Sequence, residues 1–271
     1  MSDLSPSPAG PVKLRIRFSK LGKVRWTSHR DVARMWERAF RRVRLELAYS
    51  EGYSPRPKVA FGLALPTGHE SLAEYLDVEL IAGADVGPGG LEGLVARLSD
   101  ALPAGVDATA AIEIPPGTSS LQEAVTSCDW RWRVGFVDAP GIDVPEEWLT
   151  QQAASVMAAS ELVITRQRKG KEIEEDIRPS ILDLKVTQDG WVEADLASQP
   201  RSIRPADVIA AFEPVPKGQQ GASTPSGPSA GIDQLDVRRI AQWISRDGAR
   251  REPIELSADA TGAAHAWGRA S

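Results

Sequence analysis

The chain has 271 residues, enough for one large domain or two small ones. Hydrophobic residues make up 42% and charged residues 25%, an ordinary composition for a water-soluble protein. No apolar run approaches the roughly 20 residues that a membrane-spanning helix needs, and the single cysteine, Cys128, excludes an internal disulfide or a cysteine-based zinc site.

The net charge of −5 conceals an asymmetry. Residues 1–60 hold 14 Lys/Arg against 5 Asp/Glu, a balance of +9, and the remainder hold 18 against 32, a balance of −14. A split of this kind points to a local anion-binding face. The alternative is two halves that attract each other. His29, His69 and His265 are too scattered to suggest a metal centre. The polar, proline-rich start lacks the plan of a signal peptide, so a cytoplasmic location with no membrane association is expected.

Residues 1–11 read as a disordered leader. Val12 to Phe18 alternates apolar and basic residues, the pattern of a half-buried strand, with Val12, Leu14, Ile16 and Phe18 facing a core. Lys13, Arg15 and Arg17 are then expected to form a basic row on an open face. Ser19 to Lys23 reads as a turn. Ser28 is a good N-cap with Asp31 three residues on, as in a capping box. Val32, Met35, Trp36, Ala39, Phe40 and Val43 follow at helical spacing. Arg30, Arg34, Arg38 and Arg41 fall on the opposite side, where mutual repulsion is relieved if an anion neutralises them. A solvated helix face is the alternative.

Leu45 to Tyr49 is short and strand-like. Gly52, Pro55 and Pro57 make Ser50 to Lys58 a constrained loop. Val59–Leu65 and Leu72–Leu80 read as strands, with Leu76, Val78 and Leu80 inward. Leu91–Leu102 reads as a helix and Val106–Ile114 as a strand. A second cycle follows: a short helix over Ser119–Ser127, a strand over Trp130–Val137, a helix from Pro145 to about Ala159 and a strand over Leu162–Arg168. The acidic residues Glu172, Glu174, Glu175 and Asp176 read as a loop. A hairpin turns at Asp189-Gly190, and a short helix spans Pro205–Phe212. The expected fold is therefore α+β, with two ferredoxin-like units built on antiparallel sheets, 12–116 and 117–216. Residues 217–271 are expected to form a flexible linker and disordered C-terminal tail, with one short amphipathic helix over Asp233–Ser245.

The runs Arg17 to Asp31, Tyr49 to Lys58 and Ala64 to Ser71, together with Asp176-Ile177-Arg178-Pro179, resemble a bacterial family known as radical SAM-linked proteins. The similarity spans roughly residues 12–215. That family is a domain of unknown function found fused to, or encoded beside, a radical S-adenosylmethionine enzyme with a B12-type domain. The resemblance implies a radical SAM enzyme as partner. This chain lacks a three-cysteine cluster motif, so S-adenosylmethionine and an iron–sulfur cluster are expected only on that partner, and no cofactor on this chain.

Arg25, Arg30, Arg34, Arg38, Arg41, Tyr49, Ser50, Tyr53, Arg56 and Lys58 form the expected RNA-binding set. Arginine pairs bidentately with phosphate, and tyrosine rings stack on bases unless they are core residues. Lys169, Lys171 and Arg178 form a second candidate phosphate contact or a basic strand end facing an acidic loop. His29, on the first turn of the basic helix, is a weak catalytic candidate or a structural capping-turn histidine. Three functions are open: an RNA-binding accessory protein for a radical SAM enzyme in tRNA or rRNA modification, an RNA-processing or RNA-modifying enzyme in its own right, or a protein-only scaffold for a radical SAM partner.

Overall fold

A computed structural model describes residues 11–137, 144–168, 170–212 and 232–254. The chain divides into two compact units, Met1–Val125 with Ile244–Ser271, and Thr126–Trp243. The fold is mixed α+β, and every strand pairing whose register is described is antiparallel.

The first unit runs β1 (Lys13–Lys20), a 3-10 turn (Gly22–Trp26), α1 (His29–Arg42), β2 (Val59–Phe61), β3 (Glu70–Glu79), α2 (Gly90–Ala101), β4 (Val106–Ile114) and the short α3 (Leu121–Ala124). β1 lies between β3 and β4, and β2 pairs with β3. The alternation in β1 and β3 sends Leu14, Ile16, Phe18, Leu76, Val78 and Leu80 to one face. There they meet Val32, Trp36, Ala39 and Phe40 of α1 and Leu94 and Leu98 of α2 in one buried cluster. The rings of Trp36 and Phe18 pack in a T-shaped arrangement with centroids 5.0 Å apart. Burying such side chains stabilises each by about 1.5–3 kcal/mol, so the helices are held by packing on the sheet as well as by their caps.

The opposite face departs from the expectation. Arg15 and Arg17, expected to be open, are 3% and 5% exposed. Arg15 forms a two-pronged pair with Asp77, at 2.8 and 3.0 Å. Arg17 donates to the Tyr75 hydroxyl at 3.3 Å and lies 3.6 Å from Glu252. Only Lys13 of that row remains partly accessible, 3.6 Å from Asp77. Ile254, with Ala73, Tyr75 and Leu121, forms a small apolar cluster on this side. The carboxylates and apolar cover come from positions too distant in sequence for local alternation to reveal.

The second unit contains β5 (Ser127–Phe136), α4 (Glu146–Ala158), β6 (Val163–Arg168), β7 (Lys171–Asp176), β8 (Ile181–Val186), β9 (Val192–Ala197), α5 (Pro205–Ile209) and most of β10 (Ile232–Arg246). β5 pairs with both β9 and β10, β9 pairs with β8, and β6–β7 form a separate hairpin. Trp130, Trp132, Trp148, Leu149 and Val192 are buried here.

Three further expectations are corrected. Asp233–Ser245 is strand β10, not an amphipathic helix, and the short β11 (Ala249–Arg251) turns back to pair with its end. Two register shifts, between Leu235 and Arg238 and between Arg239 and Ala241, break the period of two, and Asp236 takes φ 48°. Those irregularities spread the apolar residues into a spacing that mimics a helix. Second, the acidic segment Glu172–Asp176 is β7 rather than a loop; Arg166 of β6 reaches Glu175 at 3.4 Å, a cross-strand ion pair that composition alone does not announce. Third, the expected turn at Ser19–Lys23 is the end of β1 followed by the 3-10 turn. Residues 1–10 of the expected leader 1–11, the linker at 217–231, residues 255–271 of the expected tail and Lys169 lie outside the described residues; the start of that tail is not disordered but carries β11 and the buried Ile254.

Candidate nucleic-acid interface

α1 begins as expected. The Ser28 hydroxyl accepts from the Asp31 amide at 3.2 Å and donates to the Asp31 carboxylate at 2.7 Å. That hydroxyl, and the nearby Arg34, hold the Asp31 carboxyl below its usual range. The apolar stripe fixes the rotation of the helix, so the arginines on the other side face solvent: Arg30, Arg34, Arg38, Arg41 and Arg42 are all exposed. Arg34 lies 3.4 Å from Asp31, and Arg42 donates to the Ala101 carbonyl at 2.9 Å. Arg30, Arg38 and Arg41 make no ion pair or side-chain hydrogen bond among the described residues.

The loop from Ala48 to Lys58 is closed by its own backbone. Ser50 N donates to the Arg56 carbonyl at 2.9 Å and Lys58 N to the Ala48 carbonyl at 2.9 Å. The Ser50 hydroxyl accepts from the Arg56 amide at 3.0 Å, so Ser50 serves the loop's shape. Tyr49 forms an isolated bridge with Pro57. The closure presents Tyr49, Tyr53 and Arg56 outward; Tyr49 is 52% exposed and Tyr53 fully so. Neither tyrosine is a core residue. Lys58 is 2.9 Å from Glu79, and Arg25 is 3.6 Å from Glu70, so both cations are partly neutralised within the chain.

His29 is exposed on the first turn of α1, its ring edge-on to Phe61 at 5.1 Å. It borders a small cavity of about 20 Å³, room for one water, shared with Lys20, Phe61, Leu65 and Glu74. Lys20 and Glu74 were not among the expected site residues. Both continue the inward phase of their strands, Lys20 after Leu14, Ile16 and Phe18, Glu74 before Leu76 and Val78, so the alternation itself was the signal. The Lys20 ammonium donates to the carbonyls of Arg25 and Thr27 at 3.2 Å. Burial lowers its pKa below the ordinary lysine value, and the Glu74 carboxylate opposes that shift.

The second cationic group does not assemble in the same way. The Arg178 guanidinium donates to three backbone carbonyls, Met157 at 2.9 Å, Ala159 at 3.2 Å and Ile181 at 2.8 Å. The Asp176 carboxylate accepts from the amides of Arg178 and Leu162 at 3.0 and 2.7 Å. This pair ties the end of α4 to the start of β8 and commits three of the five guanidinium N–H donors of the half-buried Arg178 to the chain's own backbone. Lys171 is exposed at the start of β7.

Trp26 was not among the expected site residues. It is 65% exposed at the end of the 3-10 turn, with the Arg25 guanidinium 5.5 Å from its ring centre. Among the described residues no cluster of His, Cys, Asp or Glu could hold a metal ion, and no helix is long and apolar enough to cross a membrane.

No curated protein matches the chain. A family model described as "Uncharacterized protein conserved in bacteria (DUF2344)" matches residues 13–205, well over half of the chain. The chain belongs to that family.

Proposed function

We propose that the protein is an RNA-binding accessory factor whose first unit holds the sugar-phosphate backbone with α1 and the Ala48–Lys58 loop. One observation carries this reading: an arginine row on a rigidly seated helix faces solvent, and Arg30, Arg38 and Arg41 have no acidic partner among the described residues. Like charges at helical spacing repel by a few tenths of a kcal/mol per pair, a cost that phosphate removes. Arginine also pairs with phosphate through two parallel hydrogen bonds. The strand–helix–strand–strand–helix–strand order of the first unit supports a ferredoxin-like plan for it. The sequence resemblance supports a radical SAM enzyme as partner in tRNA or rRNA modification in the cytoplasm. That partner would carry the cluster and S-adenosylmethionine.

Binding of total tRNA and of rRNA fragments across a salt series tests the reading. Changing Arg34 and Arg38 to Glu is expected to weaken binding and reduce the slope of log K against log salt by about one per lost phosphate contact. RNA binding that is absent, or indifferent to salt, sinks it. Pull-down of a radical SAM enzyme with this chain tests the partner. If that enzyme is recovered but no RNA binds, the protein-only scaffold takes its place.

The placement of His29 beside Lys20 and Glu74 favours a second reading, an RNA-processing or RNA-modifying enzyme in its own right. It requires the purified chain to convert RNA unaided, and His29→Ala to abolish the product while leaving RNA binding intact.

A further inference from the structure

Among the described aromatic side chains, three are exposed: Trp26, Tyr49 and Tyr53. The other described Phe, Tyr and Trp residues are buried or half-buried. All three exposed rings lie within 28 positions, in the same stretch that carries the arginine row. Exposing an indole or a phenol ring forfeits the burial that the remaining aromatics obtain.

Each ring sits on a closed backbone feature. Trp26 leans on the turn before β3. The Gly68 amide donates to the Arg25 carbonyl at 2.8 Å, and Gly68 takes φ +89°. A Cβ at that position would lie 2.9 Å from the indole Cζ3, so glycine is what allows the ring to rest there. Tyr49 and Tyr53 project from the loop closed by the Ser50–Arg56 and Ala48–Lys58 hydrogen bonds. The closed backbone beneath the rings means that little main chain has to be ordered when a ligand stacks on them.

We infer that the first unit takes unpaired RNA rather than duplex, with bases stacking on Trp26, Tyr49 and Tyr53 while the arginines of α1 take phosphates. This rests on the RNA-binding reading and narrows its ligand. In an A-form duplex the base faces are already stacked on one another, and the deep, narrow major groove does not admit side chains. Only splayed or single-stranded bases offer a face to an aromatic ring. Such stacking tolerates any base, so the expected ligand is an unpaired loop or end with weak sequence preference.

The test measures binding of a short labelled single strand of mixed-sequence RNA and of the same strand annealed to its complement. The full-length protein is compared with Trp26→Ala, Trp26→Phe and Tyr53→Ala. The wild type is expected to bind the single strand at least about tenfold more tightly than the duplex. Trp26→Ala and Tyr53→Ala should each weaken single-strand binding by about 5- to 150-fold, the range for one lost base stack. Their salt slope should be unchanged, because no phosphate contact is removed. Trp26→Phe should recover most of the loss. Equal or tighter binding of duplex, or alanine variants within about twofold of wild type on the single strand, overturns the inference while the RNA-binding reading stands. Failure of the wild type to bind either probe removes both.

Discussion

Two rows of basic residues lie within the first 42 positions, and they meet opposite fates. Lys13, Arg15 and Arg17 alternate along β1; Arg30, Arg34, Arg38 and Arg41 recur along α1. In the sequence each row sits opposite an apolar stripe and looks open. In the fold the arginines of β1 are buried against Asp77, Tyr75 and Glu252, whereas those of α1 face solvent, and among the described residues only Arg34 makes an ion pair, with Asp31. Charge pattern alone therefore does not identify a binding face. What separates the rows is where their counter-charges come from. The partners of β1 lie 58 to more than 200 residues away in sequence and arrive only through folding.

The largest expected effect comes from breaking the buried row. Asp77→Ala leaves the Arg15 guanidinium buried without its partner and should cost about 3–5 kcal/mol, read as a lowered urea midpoint. Replacing both partners together, Arg15→Met with Asp77→Leu, should recover most of that loss. Arg178→Ala removes three hydrogen bonds from one charged group; about 2–3 kcal/mol should be lost, with RNA affinity unchanged. An affinity loss without a stability loss would return Arg178 to the binding surface. Ser28→Ala should cost about 1 kcal/mol by uncapping α1, and hydrogen exchange should rise in its first turn. On the exposed row, Arg38→Ala should change stability by less than about 0.5 kcal/mol while weakening RNA binding, which is the sharpest form of the contrast.

Lys20 offers the smallest effect and a pH signature. Burial places its folded pKa below the unfolded value of 10.5, so as pH rises towards 10.5 the folded state releases this proton before the unfolded state does. The unfolded chain then holds more protons, and stability rises with pH through that window. Lys20→Met should lack this rise. An identical pH dependence in the two proteins would mean that the ammonium is not desolvated.

Elements whose causes are local were legible in the sequence. The capped start of α1, the inward residues of β1 and β3, and the bounds of β4 follow from neighbours within a few positions. β10 was not legible because its irregular pairing erases the alternation that marks a strand. β7 was not legible because its carboxylates find Arg166 and Arg201 only after the hairpin and a later loop have come together. At the candidate interface the arginines of α1 could be read from periodicity. Trp26 could not, because its setting depends on a glycine 42 residues further on.

The return of the chain through β10 and β11 bears on where this protein can be cut. The family similarity ends at residue 205, and a chain stopped there would look complete by that criterion. It would leave β5 with an open edge where Ile232 to Trp243 now pair with it. It would also strip Glu252 from Arg17 and Tyr75, and Ile254 from the apolar cluster beneath them. Open strand edges and uncovered apolar surface drive self-association. The shortest segment expected to stay monodisperse therefore extends through Ile254, about fifty residues beyond the limit that similarity sets.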